Sequence, residues 1–128
     1  MPAQLNHTIV ASRDKREAAT FLSEILGLPA PVPYGPFLVV EAANGVSLDF
    51  VDHDDDDIPS QHYAFLVSED EFDEIFDRIR EWDITYYADP GAHRPGEINT
   101  HDGGRGVYWS DPSGHWLEII TRPYGSGS

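Results

Sequence analysis

The stretch Gly104-Arg-Gly-Val-Tyr-Trp-Ser-Asp-Pro-Ser-Gly-His-Trp-Leu-Glu-Ile-Ile-Thr121 decides how the rest of the chain is read. It has the form of a β-hairpin. Val107, Tyr108 and Trp109 lead in, Asp111-Pro-Ser-Gly114 has the composition of a turn, and residues 116–121 return with alternating faces. Glu118 stands in the middle of the returning strand, among apolar residues. Burying an unpaired carboxylate is costly, so Glu118 must be paired, liganded or exposed.

An earlier segment repeats the pattern. Gly45-Val-Ser-Leu-Asp-Phe-Val51 aligns with Gly114-His-Trp-Leu-Glu-Ile-Ile120 and sets Asp49 where Glu118 stands. Upstream of each copy lies a strand with a histidine near its start, Leu5-Asn-His-Thr-Ile-Val10 and Gln61-His-Tyr-Ala-Phe-Leu-Val67. The chain reads as a duplicated module. His7 and His62 are 55 residues apart, whereas Asp49 and Glu118 are 69 apart, so the second module is longer by 14 residues. These fit residues 90–103, a Pro-, Gly- and His-rich segment with no hydrophobic period.

Taken in order, residues 4–11 read as a strand with Leu5, His7 and Ile9 on one face and Asn6, Thr8 and Val10 on the other. Ser12 is the expected cap of a helix carrying Ala18, Leu22, Ile25 and Leu26 at helical spacing and ended by Gly27. Pro29, Pro31, Pro33 and Pro36 then allow at most a short edge strand around Val32. Residues 37–42 and 45–51 read as strands joined by a two-residue Asn44-Gly45 turn. In the second module Ser68 and Glu71 form a capping box ahead of a helix with the stripe Phe72, Ile75, Phe76 and Ile79. A strand is expected over 84–88, before the inserted segment and the hairpin.

These elements predict an α+β fold of two tandem βαβββ modules. The expected division is module one over 1–52, an acidic linker over 53–59, module two over 60–122, and a flexible Gly/Ser-rich tail over 123–128. The run Asp52-His-Asp-Asp-Asp-Asp57 reads as a solvated linker.

At 128 residues, 40% hydrophobic and 12% aromatic, the chain is long enough to bury a real core. A formal net charge of −15 with only eight Lys and Arg argues against nucleic acid as a partner. No apolar run approaches the length of a membrane span and no export pattern opens the chain, so a cytoplasmic protein without membrane contact is expected. With no cysteine, a metal would have to be held by His, Asp or Glu.

Three motifs together resemble the vicinal oxygen chelate superfamily, which includes glyoxalase I, bleomycin-resistance proteins, fosfomycin-resistance transferases, methylmalonyl-CoA epimerase and extradiol dioxygenases. They are Leu5-Asn-His7, Gln61-His62 before a short apolar strand, and Tyr108-Trp-Ser-Asp-Pro-Ser-Gly-His-Trp-Leu-Glu118, and they span essentially the whole chain. The resemblance implies that the paired modules form a curled mixed β-sheet around a metal-binding cavity. It implies a divalent metal on His7, His62 and Glu118, with coordination positions left open for substrate or oxygen. It also implies a homodimer acting on a small-molecule substrate, in which His7 can join the other two ligands from a different chain. Asp49 falls where some members carry a fourth ligand; a hydrogen-bonding or exposed carboxylate is the alternative.

The resemblance further implies a choice of chemistry. Extradiol dioxygenases carry a Tyr at the spacing of Tyr108 from Glu118 and a His some residues before it. His101 occupies that region at a shorter spacing than is usual in the family. On that pattern Fe(II) is the favoured metal, the substrate is a small aromatic diol, His101 is the acid/base and Tyr108 positions the substrate. The plainer alternatives are a core aromatic at Tyr108 and a solvated His101.

A glyoxalase-like lyase or an epimerase would instead use Zn, Ni, Co or Mn and a carboxylate base, for which Asp49 is the residue to test. A fosfomycin-type transferase is disfavoured because Ile9 replaces the expected hydroxyl and the tail is too short. A drug-sequestering protein of the bleomycin-resistance type would line its pocket with Tyr34, Trp109, Trp116 and Tyr124, but such proteins usually lack the metal triad.

Overall fold

The computed structural model describes residues 2–54 and 57–127. The chain divides into two compact units, Met1–Pro59 and Ser60–Ser128. Asp55 and Asp56, in the middle of the expected acidic linker, lie outside the described residues. Among the described residues no helix is long and apolar enough to cross a membrane.

The first unit runs β1 (His7–Ser12), α1 (Lys15–Leu26), β2 (Val32–Tyr34), β3 (Phe37–Glu41) and β4 (Ser47–Asp52). Its four strands lie in the order β1-β4-β3-β2, with β1 parallel to β4 and the other neighbours antiparallel. A parallel pair cannot be closed by a tight turn, and α1 with the two following strands forms the crossover. Val10, Leu38, Val40, Leu48 and Phe50 are buried, as are Ala18, Leu22 and Ile25 of α1. At about 1.5–3 kcal/mol for each fully buried large aliphatic or aromatic side chain, this apolar layer dominates the cohesion of the unit.

The second unit repeats the plan with β5 (His62–Leu66), α2 (Glu69–Glu81), β6 (Tyr86–Tyr87), β7 (Gly106–Ser110) and β8 (Trp116–Ile120), in the order β5-β8-β7-β6. Phe72, Ile75 and Ile79 form the buried stripe of α2, while Phe76 is only half-buried and meets Tyr86 edge-on at 5.0 Å. Ser68 and Glu71 make the expected capping box. The α+β architecture of two βαβββ modules is thus borne out, with one four-stranded mixed sheet in each module.

Three local expectations are corrected. The cap of α1 is Asp14, whose carboxylate accepts from the backbone N–H groups of Arg16 and Glu17. Ser12 is unavailable because it is the buried last residue of β1, paired with Asp52. The strand expected over 84–88 shrinks to Tyr86–Tyr87. The Ile84 N–H bonds the Ile79 carbonyl in closing α2, and the Ala88 N–H turns to the Arg94 carbonyl.

The turn after β3 has three residues rather than two. Ala42 N–H bonds Val46 O, Gly45 N–H bonds Ala42 O, and Gly45 takes φ +86°. The hairpin between β7 and β8 has the same form: Asp111 N–H bonds His115 O, Gly114 N–H bonds Asp111 O, and Gly114 takes φ +91°. A turn followed by a left-handed glycine is a common three-residue hairpin connection. In the segment after β8, the Tyr124 hydroxyl lies 2.9 Å from that of Tyr108 and the Gly125 N–H donates to Asp102 Oδ2 at 3.1 Å.

Both helices end in the same motif. Leu28 N–H reaches Ser23 O and Gly27 N–H reaches Glu24 O at the end of α1; Ile84 N–H reaches Ile79 O and Asp83 N–H reaches Arg80 O at the end of α2. Gly27 takes φ +71° without penalty, and Asp83 takes φ +55° in the matching place.

Candidate functional site

In the second sheet β8 lies between β5 and β7, so Glu118 pairs with Ala64 on one side and Tyr108 on the other. His62 pairs with Trp116, and Tyr87 with Tyr108. The pleat puts Val107, Trp109, Leu117 and Ile119 on one face, all of them buried, and Tyr108, Trp116 and Glu118 on the other.

Glu118 is fully buried, yet it is not unpartnered. His62 Nε2 lies 3.0 Å from its Oε1, and the Tyr124 hydroxyl donates to its Oε2. Among the described residues, no Lys or Arg forms an ion pair with it. His62 Nδ1 lies 3.2 Å from the Trp116 carbonyl oxygen. The imidazole therefore faces an acceptor at each nitrogen. A neutral ring carries one proton and donates at one of these two contacts.

Tyr108 sits beside this pair. Its hydroxyl is 2.9 Å from that of Tyr124, and its ring stacks with His62 at 5.8 Å and with Trp116 at 6.2 Å. Tyr87 adds a tilted contact to Trp116 at 5.4 Å. Burial pushes the Tyr108 hydroxyl above its ordinary pKa, the nearby Glu118 charge adds to this, and the Tyr124 hydrogen bond opposes it. Burial and the bond to the Glu118 carboxylate hold the Tyr124 hydroxyl protonated far above its ordinary range.

The hairpin turn anchors the strand that carries His62. Asp111 Oδ1 accepts from the Ser113 N–H at 2.9 Å and the His115 N–H at 2.7 Å, and burial raises its pKa against those bonds. The Gln61 N–H donates to the buried His115 Nδ1 at 3.0 Å, and Ser60 Oγ donates to the Gly114 carbonyl at 2.8 Å. These bonds tie the start of β5 to the turn, one residue before His62. A cavity of about 420 Å³ opens there between His62, Trp116 and the loop at Gly91 and Ala92.

His7 and Asp49 belong to the first unit. His7 is exposed at the start of β1, with Nδ1 2.7 Å from Asn6 Oδ1. That contact leaves Nε2 as the nitrogen for a ligand. Asp49 is half-buried, accepts from Ser47 Oγ at 3.2 Å, and pairs in register with Ile9 and Val39. Both line a cavity of about 610 Å³ with Ile9, Val32, Tyr34 and Phe37.

The structure thus brings His62, Glu118 and Tyr108 together, and His7 and Asp49 together. Among the described residues no three His, Asp or Glu are gathered to hold a metal. His101 lies in a 3-10 turn, His101–Gly103, with an exposed ring that makes no hydrogen bond to His62, Tyr108 or Glu118 among the described residues. Trp109 is fully buried and lines neither of these two cavities, unlike Tyr34 and Trp116. The contact that sequence reasoning missed is Tyr124 on Glu118. Its one sequence signal is an aromatic residue behind Pro123 in a Gly/Ser segment.

The donor set suits a divalent cation. His62 meets the Trp116 carbonyl through Nδ1, as metal-bound histidines meet their outer-sphere partners, and turns Nε2 to Glu118 Oε1. Among the described residues, the buried Glu118 carboxylate has no Lys or Arg to neutralise it. Within the second unit, an imidazole beside a carboxylate is a borderline-to-hard donor pair of the kind that first-row divalent metals accept.

Comparison with known proteins agrees with this reading of the fold. The chain is 62% identical to a solved structure titled oxidase ChaP-H1, covering 97% of this chain and 99% of that one with a TM-score of 0.94. It is 63% identical to oxidase ChaP-H2 over the whole of both chains, with a TM-score of 0.96. The glutathione transferase FosA of Serratia marcescens is 27% identical over 125 residues, 93% of this chain and 81% of that protein. Residues 4–119 match the family model described as the Glyoxalase/Bleomycin resistance protein/Dioxygenase superfamily, and the chain belongs to that superfamily.

Proposed function

We propose that the protein is a metal-dependent extradiol-type dioxygenase acting on a small aromatic diol, with His7, His62 and Glu118 as the metal ligands and Fe(II) as the favoured metal. Members of the superfamily typically use divalent metals, bind small molecules and commonly form dimers. On this reading the working unit is a homodimer in the cytoplasm. The observation that carries the proposal is the buried Glu118 carboxylate facing His62 Nε2, with the Tyr108 hydroxyl and stacked aromatic rings on the same sheet face. The two highly similar chains titled oxidase favour oxidation over the other chemistries of the superfamily.

The bound metal would supply a place where diol and dioxygen meet. The chain supplies the rest. Trp116, Tyr87 and the His62 ring offer an aromatic surface for a flat substrate, and the Tyr108 hydroxyl holds a substrate hydroxyl in register. His101, on its exposed turn, is the candidate that takes up and returns a proton. In ring cleavage a carbon–carbon bond next to the diol breaks and both atoms of O2 enter the product, so no outside reductant is needed.

A second reading rests on Asp49, which lines the same cavity as His7. As a base it would suit glyoxalase-like or epimerase chemistry on Zn, Ni, Co or Mn. Transferase chemistry like that named for FosA has weaker support, since Ile9 stands where a hydroxyl is expected.

The deciding experiment is elemental metal content on protein purified without oxygen or chelators, followed by oxygen uptake with a panel of catechols. Near-stoichiometric iron, with one O2 consumed per diol and no added reductant, supports ring cleavage. Zn, Ni, Co or Mn without oxygen uptake moves the assignment to the second reading. A chain that neither carries nor takes up metal sinks both and leaves a sequestering protein.

A further inference from the structure

Residues 122–127 form a strap across the site face of the second unit. Asp102 clasps it from outside, its Oδ2 accepting from the Gly125 N–H at 3.1 Å and its Oδ1 from the Gly127 N–H at 3.3 Å. Within the strap Arg122 Nη2 donates to the Ser126 carbonyl at 3.3 Å, and Ser126 Oγ donates to the Pro123 carbonyl at 2.6 Å. The side chain that the strap delivers is Tyr124. More than half of it remains exposed, but its hydroxyl end sits between Glu118 Oε2 and the Tyr108 hydroxyl.

The proton count at this junction is determined by chemistry. An ionised carboxylate only accepts, so the single Tyr124 proton is committed to Glu118. At the 2.9 Å contact between the tyrosines, Tyr108 is then the donor and Tyr124 the acceptor. With its proton used inward, the Tyr108 oxygen has only lone pairs left for a ligand. Glu118, in turn, has Oε2 engaged by Tyr124 and Oε1 directed at His62 Nε2.

We infer that Tyr124 is a positioning residue of the site: held by the Asp102 clasp, it occupies Glu118 Oε2 so that Oε1 alone is presented beside His62, and it turns the Tyr108 hydroxyl into an acceptor for a substrate hydroxyl. The inference rests on the metal-site reading above. It specifies a ligand that donates a hydrogen bond, such as the second hydroxyl of a diol, rather than a fully alkylated catechol ether.

The test is Co(II) binding by the full chain, measured by competition with a chelator and followed through the visible absorption bands of the ion. The proteins are wild type, Tyr124→Phe and His62→Ala. Tyr124→Phe removes one oxygen and keeps the ring, and it is expected to weaken Co(II) binding roughly 10- to 100-fold, the usual cost of losing an outer-sphere partner. At saturation its absorption bands should also move, because Glu118 is free to offer its second oxygen; a purely structural role would leave them in place.

Wild-type affinity and bands in Tyr124→Phe overturn the inference while the metal site stands. Tighter binding in that variant also overturns it, showing a cap that the ion must displace. Wild type that takes up no Co(II), or takes it up no better than His62→Ala, overturns the metal-site reading and the inference with it. If Tyr124→Phe does not fold, Asp102→Asn loosens the clasp without touching Glu118, and loss of affinity there is the supporting result.

Discussion

At the scale of single residues, the site is a problem of satisfying charge without water. Glu118 is fully buried, and its two oxygens meet His62 and Tyr124. Removing one partner of such a pair leaves a buried charge uncompensated, which is far more costly than the pair is stabilising. His62→Ala should therefore lower stability and abolish stoichiometric metal uptake, while circular dichroism in the native baseline should still show the fold, because His62 is itself exposed at the start of an edge strand. A variant that kept one metal per chain and its activity would remove His62 from the ligand set.

Tyr108→Phe separates the roles differently. The ring stacking against His62 and Trp116 survives, and only the hydroxyl is lost. Turnover should fall by about 10-fold or more, as expected for losing about 1.4 kcal/mol of transition-state stabilisation, with metal content unchanged. Equal kinetics in the two proteins would return Tyr108 to the role of a core aromatic. Sequence reasoning could say that Glu118 needs a partner, since a lone carboxylate in an apolar strand always does. It could not say that Tyr124 is one, because nothing periodic links a strand to the chain that follows it.

At the scale of elements, the duplication is visible in the turns and caps as well as in the strand order. Gly45 and Gly114 close equivalent three-residue turns with φ of +86° and +91°, and a Cβ at either would meet nothing within 4 Å. The cost of Gly45→Ala or Gly114→Ala is therefore purely backbone strain, about 1–2 kcal/mol, and should be similar at the two sites in denaturant unfolding. Markedly unequal losses would show that the turns are not equivalent. Gly114→Ala carries a second consequence, since this turn is bonded to the start of β5 through Ser60, Gln61 and His115.

The capping box at Ser68 and Glu71 and the stripes of both helices could be read locally, because caps and the 3.6-residue period depend on neighbours three and four residues away. Asp14 in place of Ser12 could not, because the choice turned on how far β1 stays paired with β4. The two-residue β6 failed for a similar reason: Ile84, read as strand, gives its N–H to the end of α2.

At the scale of the whole molecule, a formal charge of −15 spread over 128 residues is the dominant property. Like charges repel in the compact state, and salt screens them over about 10 Å at 0.1 M. The melting temperature should rise by a few degrees between ~0.01 M and ~0.3 M NaCl. A fall would mean that favourable pairs such as Arg105 with Glu69 and Asp73 outweigh the general repulsion.

The sequence by itself determined the duplicated βαβββ plan, the α+β class and the position of Glu118 at the centre of the last strand. Those features are written in alternation, helical period, turn composition and self-similarity, all of which act between residues close along the chain. The resemblance implies His62 beside Glu118, but only the tertiary structure decided the contacts that Glu118 makes. His62 comes from a strand 56 residues away through the parallel β5–β8 register, and Tyr124 comes back over the sheet from the segment after β8. Such meetings depend on where separately formed elements pack, and local sequence patterns carry no record of that distance.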